Sequence, residues 1–270
     1  MKIKFIGVGS AFTTQDYYQS NLLITAPSGK RLLLDCGSDA RFALAENDIY
    51  GHNVGEKLDA VYISHLHADH IGGLEWLAFS TFFNPNANKL KLFMEEQTMQ
   101  RLWEQSLRGG LERLEGQQLH LTDYFNCYPL AEEGTFKWEN IQLTLKQMLH
   151  VNTGSIITNH YSYGLLLSTD SGANIFISTD TKFQADFIIE MASKVDLIFH
   201  DCETTAYDTP VHAHYTELRT LPLFTKQKIW LYHYQPQPPY QPEEDGFRGF
   251  VTKGQEFDFS PGNTSELFII

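Results

Sequence analysis

Cysteine is scarce in this chain, with three among 270 residues, at Cys36, Cys127 and Cys202. An odd, widely spread set without C-x-x-C spacing excludes a disulfide framework and a thiolate zinc site. It predicts reduced, buried structural thiols in a cytoplasmic protein. No run of about 18 apolar residues occurs, which excludes a membrane-spanning helix. The opening Met1-Lys2-Ile3-Lys4-Phe5-Ile6-Gly7 alternates polar and apolar like a half-buried strand, not like a secretory leader. Positive charge is short too, 20 basic against 33 acidic residues for a net charge of −13. Lys226 and Lys228, or Arg108 and Arg113, form no cluster of the kind that tracks a polyanion, so long RNA or DNA is not an expected partner. A small anion stays open as a substrate, because bound metals supply local positive charge of their own.

What the chain does have is 42% hydrophobic and 13% aromatic residues, ample for a large core. One domain over residues 1–270 is expected. Strands are predicted at Lys2 to Val8, Asn21 to Thr25, Arg31 to Leu34, Leu58 to Ile63 and Leu90 to Met94, with helices near Ala40 to Glu46, Leu74 to Phe83 and Glu96 to Leu107. Three strands follow, the last from Ile141 to Met148. The second half repeats this order: a hairpin of Tyr163 to Leu167 and Asn174 to Ile177, a helix near Ala185 to Ala192, a strand from Val195 to Phe199, a helix after His214 and a strand from Ile229 to Tyr232. Strand clusters alternating with single helices suggest two packed sheets with helices outside. The segments around Phe250 and Phe257 read as a short strand or tail.

The most informative segment is Ser64-His65-Leu66-His67-Ala68-Asp69-His70-Ile71-Gly72-Gly73, directly after a strand. Three imidazoles and a carboxylate within six residues suit zinc or another borderline divalent ion. In an extended turn, side chains two apart converge on one ion while the next pair reaches a second. Three further candidate ligands stand at strand ends: His150, Asp180 and His233. Strand ends are where functional groups gather in layered α/β folds. His52, His120 and His160 show no paired ligand spacing and read as surface or packing residues. His200 ends a strand beside the site, and Tyr234 is a candidate pocket-lining residue.

With these residues in this order, the sequence resembles the metallo-β-lactamase-fold hydrolases over nearly its whole length, which implies an αββα sandwich. Their H-x-H-x-D-H signature stands at His65, His67, Asp69 and His70. The resemblance implies two divalent ions, zinc or manganese. His65, His67 and His150 would hold one, and Asp69, His70 and His233 the other, with Asp180 between them. Asp35, in Leu34-Asp35-Cys36-Gly37, matches a position that orients the histidine loop. Within this superfamily the chain is similar to the ribonuclease Z and phosphodiesterase branch, through Ser178-Thr179-Asp180-Thr181, His200-Asp201 and His214-Tyr215-Thr216. That similarity implies that Asp201 and His214 protonate the leaving group, with Glu203 and His212 as respective rivals. Asp69 would help orient the attacking water.

The chain also departs from that branch. His150 and Asp180 are too close in sequence for the protruding tRNA-binding arm of ribonuclease Z, since a hairpin already fills the gap. The pattern resembles the armless cyclic-nucleotide phosphodiesterases, including viral enzymes that destroy host cyclic pyrimidine nucleotide signals and act as homodimers. The expected activity is therefore hydrolysis of small phosphodiesters, cyclic mononucleotides among them. A ribonuclease Z-like endoribonuclease is the nearest alternative. A lactonase, thioesterase or sulfatase on the same fold, and a metal-binding sensor without turnover, are the others.

Overall fold

Side-chain alternation dictates the strands. In the first of them Ile3 and Phe5 enter one hydrophobic layer and Ile6 another; Leu32 and Leu34 part from Leu33 in the same way, as do Ile175 and Ile177 from Phe176. The computed structural model describes residues 1–155 and 159–260. Its first half lays down β1 (Lys2–Gly7), β2 (Asn21–Thr25), β3 (Arg31–Leu34), β4 (Ala60–Tyr62) and β5 (Lys91–Glu95). A small ribbon, β6 (Arg113–Leu114) and β7 (Gln117–Gln118), precedes β8 (Asn126–Leu130). The second half adds β9 (Thr135–Trp138), β10 (Ile141–Val151), β11 (His160–Thr169), β12 (Asn174–Ile177), β13 (Leu197–Asp201), β14 (Ile229–Tyr232) and β15 (Gly249–Phe250). Last comes β16 (Glu256–Asp258).

These strands form two seven-stranded sheets, ordered β16-β1-β2-β3-β4-β5-β8 and β15-β14-β13-β12-β11-β10-β9. In each sheet four strands run parallel, β3-β4-β5-β8 and β12-β13-β14-β15, and the other pairings are antiparallel. One apolar layer, with Phe5, Leu34, Tyr62, Leu145, Leu165, Phe199 and Tyr232, lies between the sheets. A second joins the first sheet to helices Ala40–Ala45, Leu74–Phe82 and Glu96–Leu102, and a third joins the second sheet to helices Ala185–Lys194 and Tyr215–Leu218. The result is an αββα sandwich.

One element differs from expectation. The helix from Glu96 does not run evenly to Leu107, because after Leu102 it widens into a π turn over Trp103–Leu107. The segments around Phe250 and Phe257 are short strands, one of the two expected forms; β16 pairs antiparallel with β1 and completes the first sheet. Cys36 and Cys202 are buried, whereas Cys127 is only half-buried. No helix among the described residues is long and apolar enough to cross a membrane.

Candidate metal centre

The parallel strands set the site. Asp35 follows β3, the histidine loop follows β4, and Asp180, Asp201 and His233 stand at the ends of β12, β13 and β14. All five positions lie at carboxyl ends of parallel strands, along one edge of the sandwich. Asp35, Thr179 and His233 hold left-handed backbone, with φ of 61°, 55° and 62°. For residues with a side chain this costs roughly 1 kcal/mol or more each, and such strain gathers at functional sites. His150 reaches the same edge from β10, where the ladder with β11 breaks register between Leu149 and Val151.

The carboxylate of Asp35 organises the loop. One oxygen accepts the Ser64 amide at 2.8 Å, and the other accepts Ser64 Oγ and His70 Nδ1, each at 2.8 Å. His70 therefore turns Nε2 inward. Gly37 permits this packing, since a Cβ there would stand 2.3 Å from the Asp69 carbonyl oxygen. His150 donates Nδ1–H to Val211 O at 2.8 Å, which leaves Nε2 as a lone pair. That atom lies 2.9 Å from His67 Nδ1, and His65 Nε2 lies 3.1 Å from the same atom.

Seven side chains thus converge as two groups that could each hold a cation, His65, His67, His150 and Asp180, and Asp69, His70, Asp180 and His233; a third such group, Asp180, Asp201, His212 and His233, adjoins them. Asp180 Oδ2 is 3.7 Å from His65 Nε2 and from His150 Nε2, and 3.2 Å from His70 Nε2; its Oδ1 is 3.4 Å from His233 Nε2. Asp69 Oδ2 is 3.3 Å from both His70 Nε2 and His233 Nε2. The donor set fits a divalent metal. Three ring nitrogens crowded together cannot all satisfy one another, and His70 Nε2 and Asp180 Oδ1 are buried without a hydrogen-bond partner. Nitrogens bound to one tetrahedral ion at 2.0–2.1 Å would lie roughly 3.3 Å apart, close to the spacing seen.

The electrostatics agree. Burial pushes the His150 imidazolium down to about 4 and holds His65 and His67 below the usual histidine range, so these rings are neutral and ready to ligate near pH 7. Burial would lower His70 and His233 as well, but the surrounding carboxylates, Asp180 foremost, outweigh it and raise both. The same carboxylates that favour positive charge on these rings would favour a cation between them.

Beside this cluster, His212 Nδ1 is bonded to Asp201 Oδ2 at 2.8 Å and lies 4.0 Å from Asp180. Burial works against the charged form of His212, yet Asp201 and then Asp180 raise it; Asp201 in turn is drawn down to about 2, chiefly by His212, against the effect of burial. The expected pairing of Asp201 with His214 is not formed. His214 caps helix Tyr215–Leu218: its Nδ1 accepts the Thr216 amide at 3.2 Å, and its Nε2 donates to Thr205 O at 3.0 Å. The same Nδ1 lies 2.7 Å from Thr216 Oγ1 and 3.1 Å from the Asp208 carboxylate, so both ring nitrogens have partners other than Asp201. Glu203 is not the partner either, since its carboxylate accepts the Thr209 amide at 2.8 Å. His200 is fully buried and donates to Asp201 O at 2.6 Å. Tyr234 belongs to the core, where its hydroxyl donates to Val251 O, and so does not line the site. His52, His120 and His160 are exposed.

Two seven-stranded sheets between helices, with this histidine and aspartate cluster at their edge, define a metal-dependent hydrolase of the metallo-β-lactamase fold. The metallo-β-lactamase fold protein YhfI from Bacillus subtilis superposes with a TM-score of 0.71 at 18% identity, covering 95% of this chain and 98% of that one. The short form of human tRNase Z superposes at 0.68 with 14% identity, covering 96% and 100%. More specifically, residues 1–257 match the family described as Anti-Pycsar protein Apyc1, and the chain belongs to that family. An Anti-Pycsar protein Apyc1 of Bacillus phage vB_BveM-Goe7 is 33% identical over 268 residues, which covers 94% of this chain and 97% of the relative. Membership of this family makes the chain a metal-dependent phosphodiesterase.

Proposed function

We propose that the chain hydrolyses cyclic mononucleotides, cyclic pyrimidine nucleotides foremost, at a centre of two divalent ions, zinc or manganese. The observation that carries this reading is the meeting of two ligand groups on one buried carboxylate, Asp180, beside an imidazole paired with its own carboxylate. When bound, the ions supply charge against the phosphoryl oxygens and acidify a water. His65, His67 and His150 take one ion and Asp69, His70 and His233 the other, with Asp180 between. Asp35 fixes the direction of His70 through its Nδ1–H. Asp69, facing both His70 and His233, orients the attacking water.

Hydrolysis forms one phosphorus–oxygen bond to water and breaks another, so the departing alkoxide must gain a proton. His212 is placed to give it. Asp201 holds its Nδ1 and favours the imidazolium, which leaves Nε2–H for the leaving oxygen, and the side chain remains 17% exposed. A tRNA substrate is disfavoured by the net charge of −13. Between His150 and Asp180, moreover, the described residues are taken up by β10, β11, β12 and their short connections.

The test is turnover of cyclic CMP, cyclic UMP, cyclic AMP and cyclic GMP beside a tRNA precursor, a lactone and a thioester, with metal content measured on the same preparation. Cyclic nucleotide hydrolysis with close to two ions per chain is expected. Cleavage of the precursor or the esters alone, or less than one ion after reconstitution with Zn²⁺ or Mn²⁺, overturns the reading.

A further inference from the structure

Two aromatic side chains, on loops tied to the ligand cluster, are the most exposed large hydrophobics among the described residues, Phe12 at 94% and Tyr207 at 71% relative exposure. Each sits on a loop anchored to the ligand cluster. The loop carrying Phe12 is held on two sides. Val8 O accepts the His233 amide at 2.7 Å and Ser10 N donates to Tyr234 O at 3.2 Å. On the other side Gln19 donates to Ala11 O at 3.3 Å and accepts the Ser38 amide at 2.8 Å, next to the glycine that packs on the Asp69 carbonyl. The loop carrying Tyr207 starts from Asp201 and Glu203 and returns through Val211, whose carbonyl receives His150 Nδ1–H, into His212.

One side chain ties the loops together. Gln235, two residues beyond His233, accepts both the amide and the hydroxyl of Thr204 and donates to Ser10 Oγ at 3.4 Å. The two rings therefore stand on loops that meet at one clasp close in sequence to His233. We infer that Phe12 and Tyr207 stack against the base of the nucleotide whose phosphate lies on the ligand cluster, with Gln235 as the positioning residue that keeps their loops together. The inference rests on the cyclic-nucleotide reading and adds to it a base-binding element. Stacking uses the π-face that every base offers, so it contributes affinity more than discrimination among bases.

The experiment compares wild type with Phe12→Ala, Tyr207→Ala and the double variant on cyclic CMP, on baseless ribose 3′,5′-cyclic phosphate and on bis(p-nitrophenyl) phosphate. Metal content and light-scattering mass are read in parallel. Wild type should prefer cyclic CMP over the baseless analogue by roughly tenfold or more in kcat/KM, and the double variant should lose that preference through KM. Turnover of bis(p-nitrophenyl) phosphate, metal content and mass should not change, and Phe12→Tyr with Tyr207→Phe should restore the preference. Unchanged KM for cyclic CMP in the double variant overturns the stacking role and leaves the functional reading standing. A changed mass overturns it by showing an interface between copies, and lost metal overturns it by showing that the rings only support the loops. Wild type that cleaves no cyclic nucleotide overturns the functional reading, and this inference with it.

Discussion

At the scale of the residue, His212 and His214 share a residue type and a loop but have different partners. His212 keeps Nδ1 for Asp201, whereas His214 gives Nδ1 to the start of a helix and Nε2 to the Thr205 carbonyl. His212→Ala is expected to slow cyclic nucleotide hydrolysis by roughly 10²–10⁴-fold, the span of general acid catalysis. Bis(p-nitrophenyl) phosphate, whose phenolate leaves unprotonated, should be far less affected. His214→Ala should instead cost about 1 kcal/mol of stability through the lost cap, read as a lower melting temperature, with chemistry little changed. The reverse pattern would return the acid role to His214. Asp180 makes a second test. Its carboxylate lies within 4 Å of five imidazoles, so Asp180→Ala leaves two cation groups without the charge between them. Turnover should fall by orders of magnitude and metal content should drop, while circular dichroism of the chelated protein stays like wild type. Near-normal turnover would show that Asp180 does not join the two groups.

At the scale of the element, the ligand-bearing strands were readable because each is a short apolar run that stops at a polar residue: Ile229–Tyr232 before His233, Asn174–Ile177 ahead of Asp180. Dense histidines after β4 needed no tertiary knowledge. The loop from Thr204 to Ala213 did. Its sequence offers two histidines two residues apart, and the neighbouring Thr216 favoured His214. In the structure, however, Thr216 bonds His214 locally, while closure of Val211 on His150 aims His212 at Asp201. That choice is made by a contact across 61 residues, which local pattern cannot carry. The same limit hid Gln235, which the sequence presents only as part of a Pro- and Gln-rich stretch. It also hid the pairing of β16 with β1.

At the scale of the whole molecule, packing controls the thiols. Burial raises Cys36 and Cys202 above the ordinary thiol range and pushes half-buried Cys127 up to about 11. Well below pH 9, the ordinary thiol value, these groups are protonated in folded and unfolded chains alike. As pH climbs towards 11 the unfolded chain ionises first, so stability declines across that window. Ellman's reagent near pH 7.5 should therefore label less than one thiol per native chain within minutes, and all three after denaturation. Rapid labelling of the native protein would contradict the packing described.

The pairing of β1 with β16 has a consequence for synthesis. Lys2 and Glu256, joined side by side in the finished sheet, are 254 residues apart in the chain. A ribosome adding about 5–20 residues per second leaves β1 waiting roughly 13–50 s for that neighbour. Throughout that interval the nascent first sheet keeps one flank of unanswered amides and carbonyls, open to other nascent chains on the same polysome. The arrival of Phe257, whose ring slots among Phe5, Phe199 and Trp230, brings β16 onto that flank and adds its ring to the layer between the sheets.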